Sequence, residues 1–472
     1  MVVGSKRFTE SYILGEIVAR TAGAGAQHRP GLGNTAVVLE ALKLGAIDVY
    51  PEYIGTIEKE ILKLPAGSPP ETIRQELARM GLAHGVPLGF ANSYALATTE
   101  AQARARSLRT IGDLRAHPDL KIALSQEFLG RADGWPGLAA RYGLKQQPTG
   151  IDHGISYDAL ATGRIAVTDI YTTDAKIAEL GLAVLQDDAA YFPRYDAVLL
   201  YRIDLPQRAP AAWKAISALQ GRIDTARMIR MNGEAELRGR PFAAIAADFV
   251  AGTEAGKPMV RAGVLDRLFG PDLGRLTREH LALVAISVAL AVLIGIPLGA
   301  LAAARKKTNQ WVFAVVGLLQ TIPALALLAA LIPLLGRIGT VPAVVALTLY
   351  ALLPIVRNTA TGLDQVPRGL KQAGVALGMT GAQRWREVDL PLALPVILAG
   401  IKTAAVVTVG TATIAAFIGA GGYGERIAQG LALNDGAVLL AGAIPAAVLA
   451  LLTQGVFELL ERWATRGTPS AQ

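Results

Sequence analysis

Two cations stand where an anion could be held. Lys6 lies just ahead of the first helical pattern, 9–22, where free amide N–H groups and the helix dipole favour negative charge. Arg131, in FLGRADG, carries the planar fork that can grip a carboxylate with two parallel hydrogen bonds. No Ser-His-Asp arrangement and no carboxylate pair with an evident role stands out, so an enzyme is disfavoured. The five histidines (His28, His84, His117, His153, His280) are too scattered for metal-ligand spacing, and cysteine is absent. GAGGYG at 419–424 fits the glycine pattern of dinucleotide sites. It ends an apolar run rather than joining a strand to a helix, so it reads as an external turn. No G-x-x-x-x-G-K-[ST] occurs, so the chain carries no P-loop ATPase of its own.

The 472 residues are 52% hydrophobic and 18% charged, with a mean hydropathy of +0.38. That is too apolar for an ordinary soluble protein and too charged for a wholly membrane-embedded one, so a soluble part joined to a membrane part is expected. The net charge of +8 needs no nucleic acid, because cytoplasmic loops of membrane proteins collect Lys and Arg. Val2 and Val3 read as the end of a first strand. A domain facing outward needs an export segment, so a leader ahead of Met1, which could hold a sixth span, is expected in preference to export by the membrane half.

Residues 1–252 read as a soluble α/β unit. Short apolar runs at 121–124 and 164–168 alternate with helical patterns at 9–22 and 70–80. Two β-rich stretches, FANSYALAT at 90–98 and FPRYDAVLL at 192–200, would serve as crossings between two lobes, one of 1–93 with 196–252 and one of 94–195. A link over 253–278, with breaks at Gly256 and Pro258, leads to apolar spans at 281–304, 310–335, 338–356, 403–419 and 436–457. Each is about long enough for a hydrocarbon core of roughly 30 Å. Pro323, Pro333 and Pro354 are expected to break or kink helices. Positive residues gather at 305–307, between the third and fourth spans, and at Arg462 and Arg466. This places the soluble part outside and the 371–391 segment inside. Lys402 is the one ionisable residue placed with a span, at the cytoplasmic edge of 403–419, and snorkelling to the headgroups is its expected role.

The soluble half resembles the substrate-binding proteins of osmoprotectant importers for glycine betaine, choline and carnitine. The likeness is carried by GSKRFTESYILGEI, ALKLGAIDVYPEYIGT, GFANSYALA, FLGRADGWPGLAARYG and DDAAYFPRYDAV, in that order. It implies a two-lobed periplasmic-binding-protein fold of type II that closes on its ligand. Motif by motif, it implies a cage of Tyr53, Tyr94, Tyr171 and Tyr195. Such a cage suits a quaternary ammonium, which cannot donate hydrogen bonds and is held by ring faces at roughly 0.5–2 kcal/mol each. It also implies that Lys6, Thr56 and Arg131 hold a carboxylate, with Asn92 as a polar wall contact.

Residues 279–464 resemble the permease subunits of the same importers, through QTIPALALLAALIPLLG, LYALLPIVRNTATGL and GTATIAAFIGAGGYG. An all-α polytopic membrane domain of about five helices is implied, followed by a tail at 465–472. KQAGVALGMTGAQRWREVDLP at 371–391 resembles the coupling loop (364–391) of ABC importer permeases, whose pattern runs Glu-Ala-Ala, Gly, Ile-x-Leu-Pro. Ala373, Gly378, Leu390 and Pro391 match; Val388 stands for the Ile, Gln372 for the Glu and Gly374 for the second Ala. The resemblance implies a receptor fused to its permease in a bacterial inner membrane, importing a betaine. Glycine betaine is the first choice, with carnitine, choline, proline betaine and ergothioneine behind it. ATP and Mg would be bound by a cytoplasmic ATPase dimer that grips the loop, and two copies of the chain would form one transporter. The rival from another class is a ligand-gated sensor or channel, which the loop argues against.

Overall fold

The computed structural model describes residues 1–65, 67–131, 133–253, 263–433 and 435–465. The middle of the expected link, with Gly256 and Pro258, and nearly all of the tail, with Arg466, lie outside the described residues. Two compact units emerge: Met1–Arg267 with Ala428–Leu439, and Leu268–Ile427 with Leu440–Gln472.

The first unit holds two α/β lobes. One is built on a five-stranded sheet of order β2-β1-β3-β10-β4, comprising β1 (Val2–Gly4), β2 (Gln27–Arg29), β3 (Val49–Tyr53), β4 (Leu82–Gly85) and β10 (Ala197–Arg202). β3 is buried along its whole length, parallel to β1 and antiparallel to β10, with Ala197 opposite Tyr53. The other lobe contains β8-β5-β9, from β5 (Tyr94–Thr99), β8 (Thr168–Tyr171) and β9 (Leu182–Leu185). Beside it lies a parallel pair of β6 (Ala123–Ser125) and β7 (Thr149–Ile151). Tyr94 and Tyr171 face each other across β5 and β8.

The chain passes between the lobes just before β5 and just before β10. There Ala91 bridges Asp196, and Asn92 N donates to Tyr195 O at 3.0 Å. The crossings are therefore shorter than the extended stretches suggest, since each stretch continues as a strand of one lobe. The helix Thr9–Ala22 has the bounds its pattern implies, and Pro70–Arg79 starts on a proline, which suits a first helical turn. The apolar run 164–168 is only the lead-in to β8, because Gly163 (φ +69°) turns the chain after the preceding helix.

The second unit is helical. Leu273–Ala304, Thr340–Gln365, Gly381–Ile418 and Gly436–Trp463 are each long and apolar enough to cross a membrane. The apolar stretch read as the second span is two helices, Thr308–Thr321 and Ala324–Leu335, bent by 99° at the break expected of Pro323. Pro323 sits in that break with extended backbone, whereas Pro333 and Pro354 stay inside helices. The fourth span begins earlier than its apolar core implies, because Leu390–Ala412 accommodates Pro391 in its first turn.

Small residues let these helices touch. A Cβ on Gly299 would lie 2.6 Å from Thr359 Cβ, and one on Gly400 would lie 2.5 Å from Asn358 Cβ. The GAGGYG turn has Gly419, Gly421 and Gly422 at positive φ and leads into an unforeseen helix, Gly424–Leu433. Gly422 N donates to Glu279 Oε2 at 3.1 Å, and the Tyr423 ring stacks on His280 at 4.7 Å. Lys402 is ion-paired with Glu461 at 2.8 Å.

Candidate functional site

β3 ends at Tyr53 and β8 ends at Tyr171. Tyr94 opens β5, and Tyr195 lies on the second crossing. Strand ends and crossings thus converge, and they bring all eight expected residues onto one cavity: Lys6, Tyr53, Thr56, Asn92, Tyr94, Arg131, Tyr171 and Tyr195. Phe8 and Glu127 complete the wall and were not foreseen. Phe8 is a fifth ring, 6.4 Å from Tyr53 and 5.4 Å from Tyr171 between centroids. Tyr94 lies 5.2 Å from Tyr171 and 6.0 Å from Tyr195, the latter edge-on. Glu127 could have been found from the sequence, since it stands one helical turn before Arg131 and such pairs share a face.

The cations are already matched. Lys6 Nζ lies 2.7 Å from Glu52 Oε1 and sits 5.2 Å from the centre of the Tyr53 ring and 5.6 Å from that of Phe8. Arg131 donates through Nε and Nη2 to the two oxygens of Asp133, both at 2.7 Å, and its guanidinium lies 5.2 Å from the Tyr94 ring centre. The same Nη2 reaches Thr56 Oγ1 at 3.3 Å, and Nη1 reaches Glu127 Oε1 at 3.4 Å. Tyr195 donates its hydroxyl to Asp133 at 2.6 Å. The anion-gripping fork of Arg131 is thus turned on the chain's own carboxylate, and the space enclosed is only about 20 Å³, close to the minimum for one water. That space is too small for a quaternary ammonium.

Burial pushes the phenols of Tyr53, Tyr94, Tyr171 and Tyr195 above their ordinary range, so they face a ligand as neutral rings. Burial also opposes ionisation of Asp133, yet the Arg131 pair outweighs it and holds that carboxyl below its ordinary value. Behind the wall, Glu10 accepts from Tyr53 OH, from Asn92 Nδ2 at 3.0 Å, from Thr173 Oγ1 at 2.6 Å and from Asn232 Nδ2 at 3.2 Å.

A second region is the 371–391 segment. Gln372 and Ala373 lie exposed on the helix Arg368–Ala376, and Gly378 (φ +77°) turns the chain out of it. Thr380 and Gln383 cap the next turn reciprocally, and Leu390 and Pro391 start the following long helix. Leu370, Val375 and Leu377 are exposed apolar side chains on this segment, Leu377 at 78%.

Residues 1–252 match the family described as the substrate-binding domain of the ABC-type glycine betaine transport system. The chain belongs to that family. Residues 295–466 match the inner membrane component of binding-protein-dependent transport systems, so receptor and permease share one polypeptide, and the protein is an integral membrane component of an ABC transport system. The permease half is 44% identical to the choline transport system permease protein OpuBB of Bacillus subtilis over 42% of this chain and 90% of that one. It is 47% identical to the osmoprotectant import permease protein OsmW of Salmonella typhimurium over 40% of this chain and 90% of that one. A solved structure described as a glycine betaine/carnitine/choline ABC transporter is 27% identical over 53% of this chain and 98% of that one, with a TM-score of 0.46.

Proposed function

We propose that this chain is the receptor and permease of an importer for a quaternary-ammonium compatible solute, with glycine betaine as the first candidate. The observation that carries the reading is the convergence of five aromatic rings with Arg131 and Thr56 on one cavity between two lobes. The rings would take the ammonium, and Arg131 would exchange part of its grip on Asp133 for the ligand carboxylate. The choline and osmoprotectant permeases to which the membrane half is similar support the same class of solute.

A separate ATPase dimer would hydrolyse ATP and dock on the 371–391 segment, whose exposed apolar side chains and tight Gly378 turn suit a partner groove. Two copies of the chain would line one pathway in a bacterial inner membrane. The excess of Lys and Arg around that segment supports a cytoplasmic loop and an external receptor.

A second reading, bare choline, is favoured by the charge count. Lys6 is matched by Glu52 and Arg131 by Asp133, which leaves Glu127 facing the cage as a surplus negative charge. Calorimetric titration of the full chain in lipid nanodiscs with glycine betaine, choline, carnitine and ergothioneine decides between them. Tight binding of a zwitterion supports the first reading and preference for choline the second. No heat with any of the four would overturn both.

A further inference from the structure

The Glu10 carboxylate lies off the cavity, in the first turn of the helix Thr9–Ala22, and is 2% exposed. Its two oxygens divide their work. Oε1 accepts from Tyr53, a cage wall, and from Asn92 on the first crossing. Oε2 accepts from Thr173, which follows β8 in the other lobe, and from Asn232 on the helix Thr225–Glu236. Asn232 also donates to the carbonyl of Thr173 at 3.0 Å, so the other lobe is held at two adjacent atoms.

Four buried donors converge on one group that only accepts. An amide there would turn a donor on Asn92 Nδ2 or Asn232 Nδ2, which is costly in a buried site, whereas a carboxyl can also donate to the hydroxyl of Tyr53 or Thr173. We propose that Glu10 is a positioning residue that latches the two lobes and, through the same carboxylate, fixes the Tyr53 wall, so that cage assembly and lobe closure are one event. This rests on the cage reading of the cavity only for its consequence in binding. The latch itself is a contact between lobes.

The lobe that supplies Thr173 reaches Glu10 directly through Thr173 Oγ1 and indirectly through Asn232, which stays bonded to the Thr173 carbonyl, so Thr173→Val removes the direct contact of the latch without touching the cage. Glu10→Gln should weaken both halves. The chain is free of cysteine. Gln75→Cys and Ala101→Cys, both exposed and one on each lobe, can therefore carry spin labels in the full chain in nanodiscs. Without ligand, the parent should show the short interlobe distance, and both Glu10→Gln and Thr173→Val should move population to longer ones. Dissociation of glycine betaine should speed up by about fivefold in Thr173→Val, the worth of one buried hydrogen bond. The double variant should be no worse than Glu10→Gln alone, since both remove one device.

Lowered thermal stability with unchanged distances and unchanged dissociation in Thr173→Val would mean a merely structural role and would overturn the latch. If Glu10→Gln does not fold, Thr173→Val alone decides. A parent that takes neither glycine betaine nor choline would count against the functional reading. The latch would still stand or fall on the ligand-free distances.

Discussion

At the scale of single residues, the site works by faces and forks. Tyr94 and Tyr195 stand edge-on at 6.0 Å in the wall of the cavity. Tyr94→Ala or Tyr195→Ala should each weaken solute binding by about tenfold, within the range of one desolvated cation–π contact; calorimetry that finds both unchanged would remove the cage. Asp133 gives a pH dependence whose sign is fixed. Its carboxyl is held below the ordinary 3.8 because the Arg131 pair outweighs its burial. A group depressed in the folded state adds stability above its unfolded value and loses it as pH falls through the folded one. Denaturant unfolding should therefore show a loss below about pH 4 that is smaller in Asp133→Asn. The eight wall residues were legible because each sits in a local motif. The ion pair of Lys6 was not, because Glu52 lies 46 positions away and only the folded sheet brings them together; that of Arg131 with Asp133 spans two positions of one motif, and the motif does not show that the pair closes on itself.

At the scale of elements, helices with strong pattern and clear ends were legible, as was the place of the break at Pro323, but not its angle. Thr9–Ala22 declares itself by periodicity and ends before Gly23. The bent pair Thr308–Thr321 and Ala324–Leu335 reads as one apolar run, since hydropathy carries no direction and Pro323 is tolerated both in breaks and in kinks. The turn at Gly378 is the element on which coupling should depend. A Cβ there would meet nothing within 4 Å, so a substitution acts through the backbone alone, at φ +77°. Gly378→Ala should leave solute binding intact and depress solute-stimulated ATP hydrolysis in the reconstituted transporter. Equal loss of both would show that the segment does not serve the partner.

At the scale of the whole molecule, composition alone announces a soluble half and a membrane half, and the family matches at 1–252 and 295–466 bear out that division of labour. Fusion changes the arithmetic of recognition. A receptor tethered by a short flexible link would meet its permease at an effective concentration of order mM. If two copies form one pathway, each transporter carries two receptors. Native mass spectrometry of the assembled complex should then show two chains with two ATPase subunits, and a single copy would refute the pairing.

One feature of the resting site reaches beyond affinity. Lys6 lies over the rings of Tyr53 and Phe8, Arg131 lies over Tyr94, and about 20 Å³ is left between them. If the cavity is the solute site, internal cations lie over the rings that the cargo's ammonium would take. Only the fraction of receptors that is open can load, and the apparent dissociation constant rises in inverse proportion to that fraction. In a transporter triggered by closure, such self-occupancy is a source of false starts. Idle ATP consumption in solute-free medium then measures how well the permease tells an empty fist from a full one.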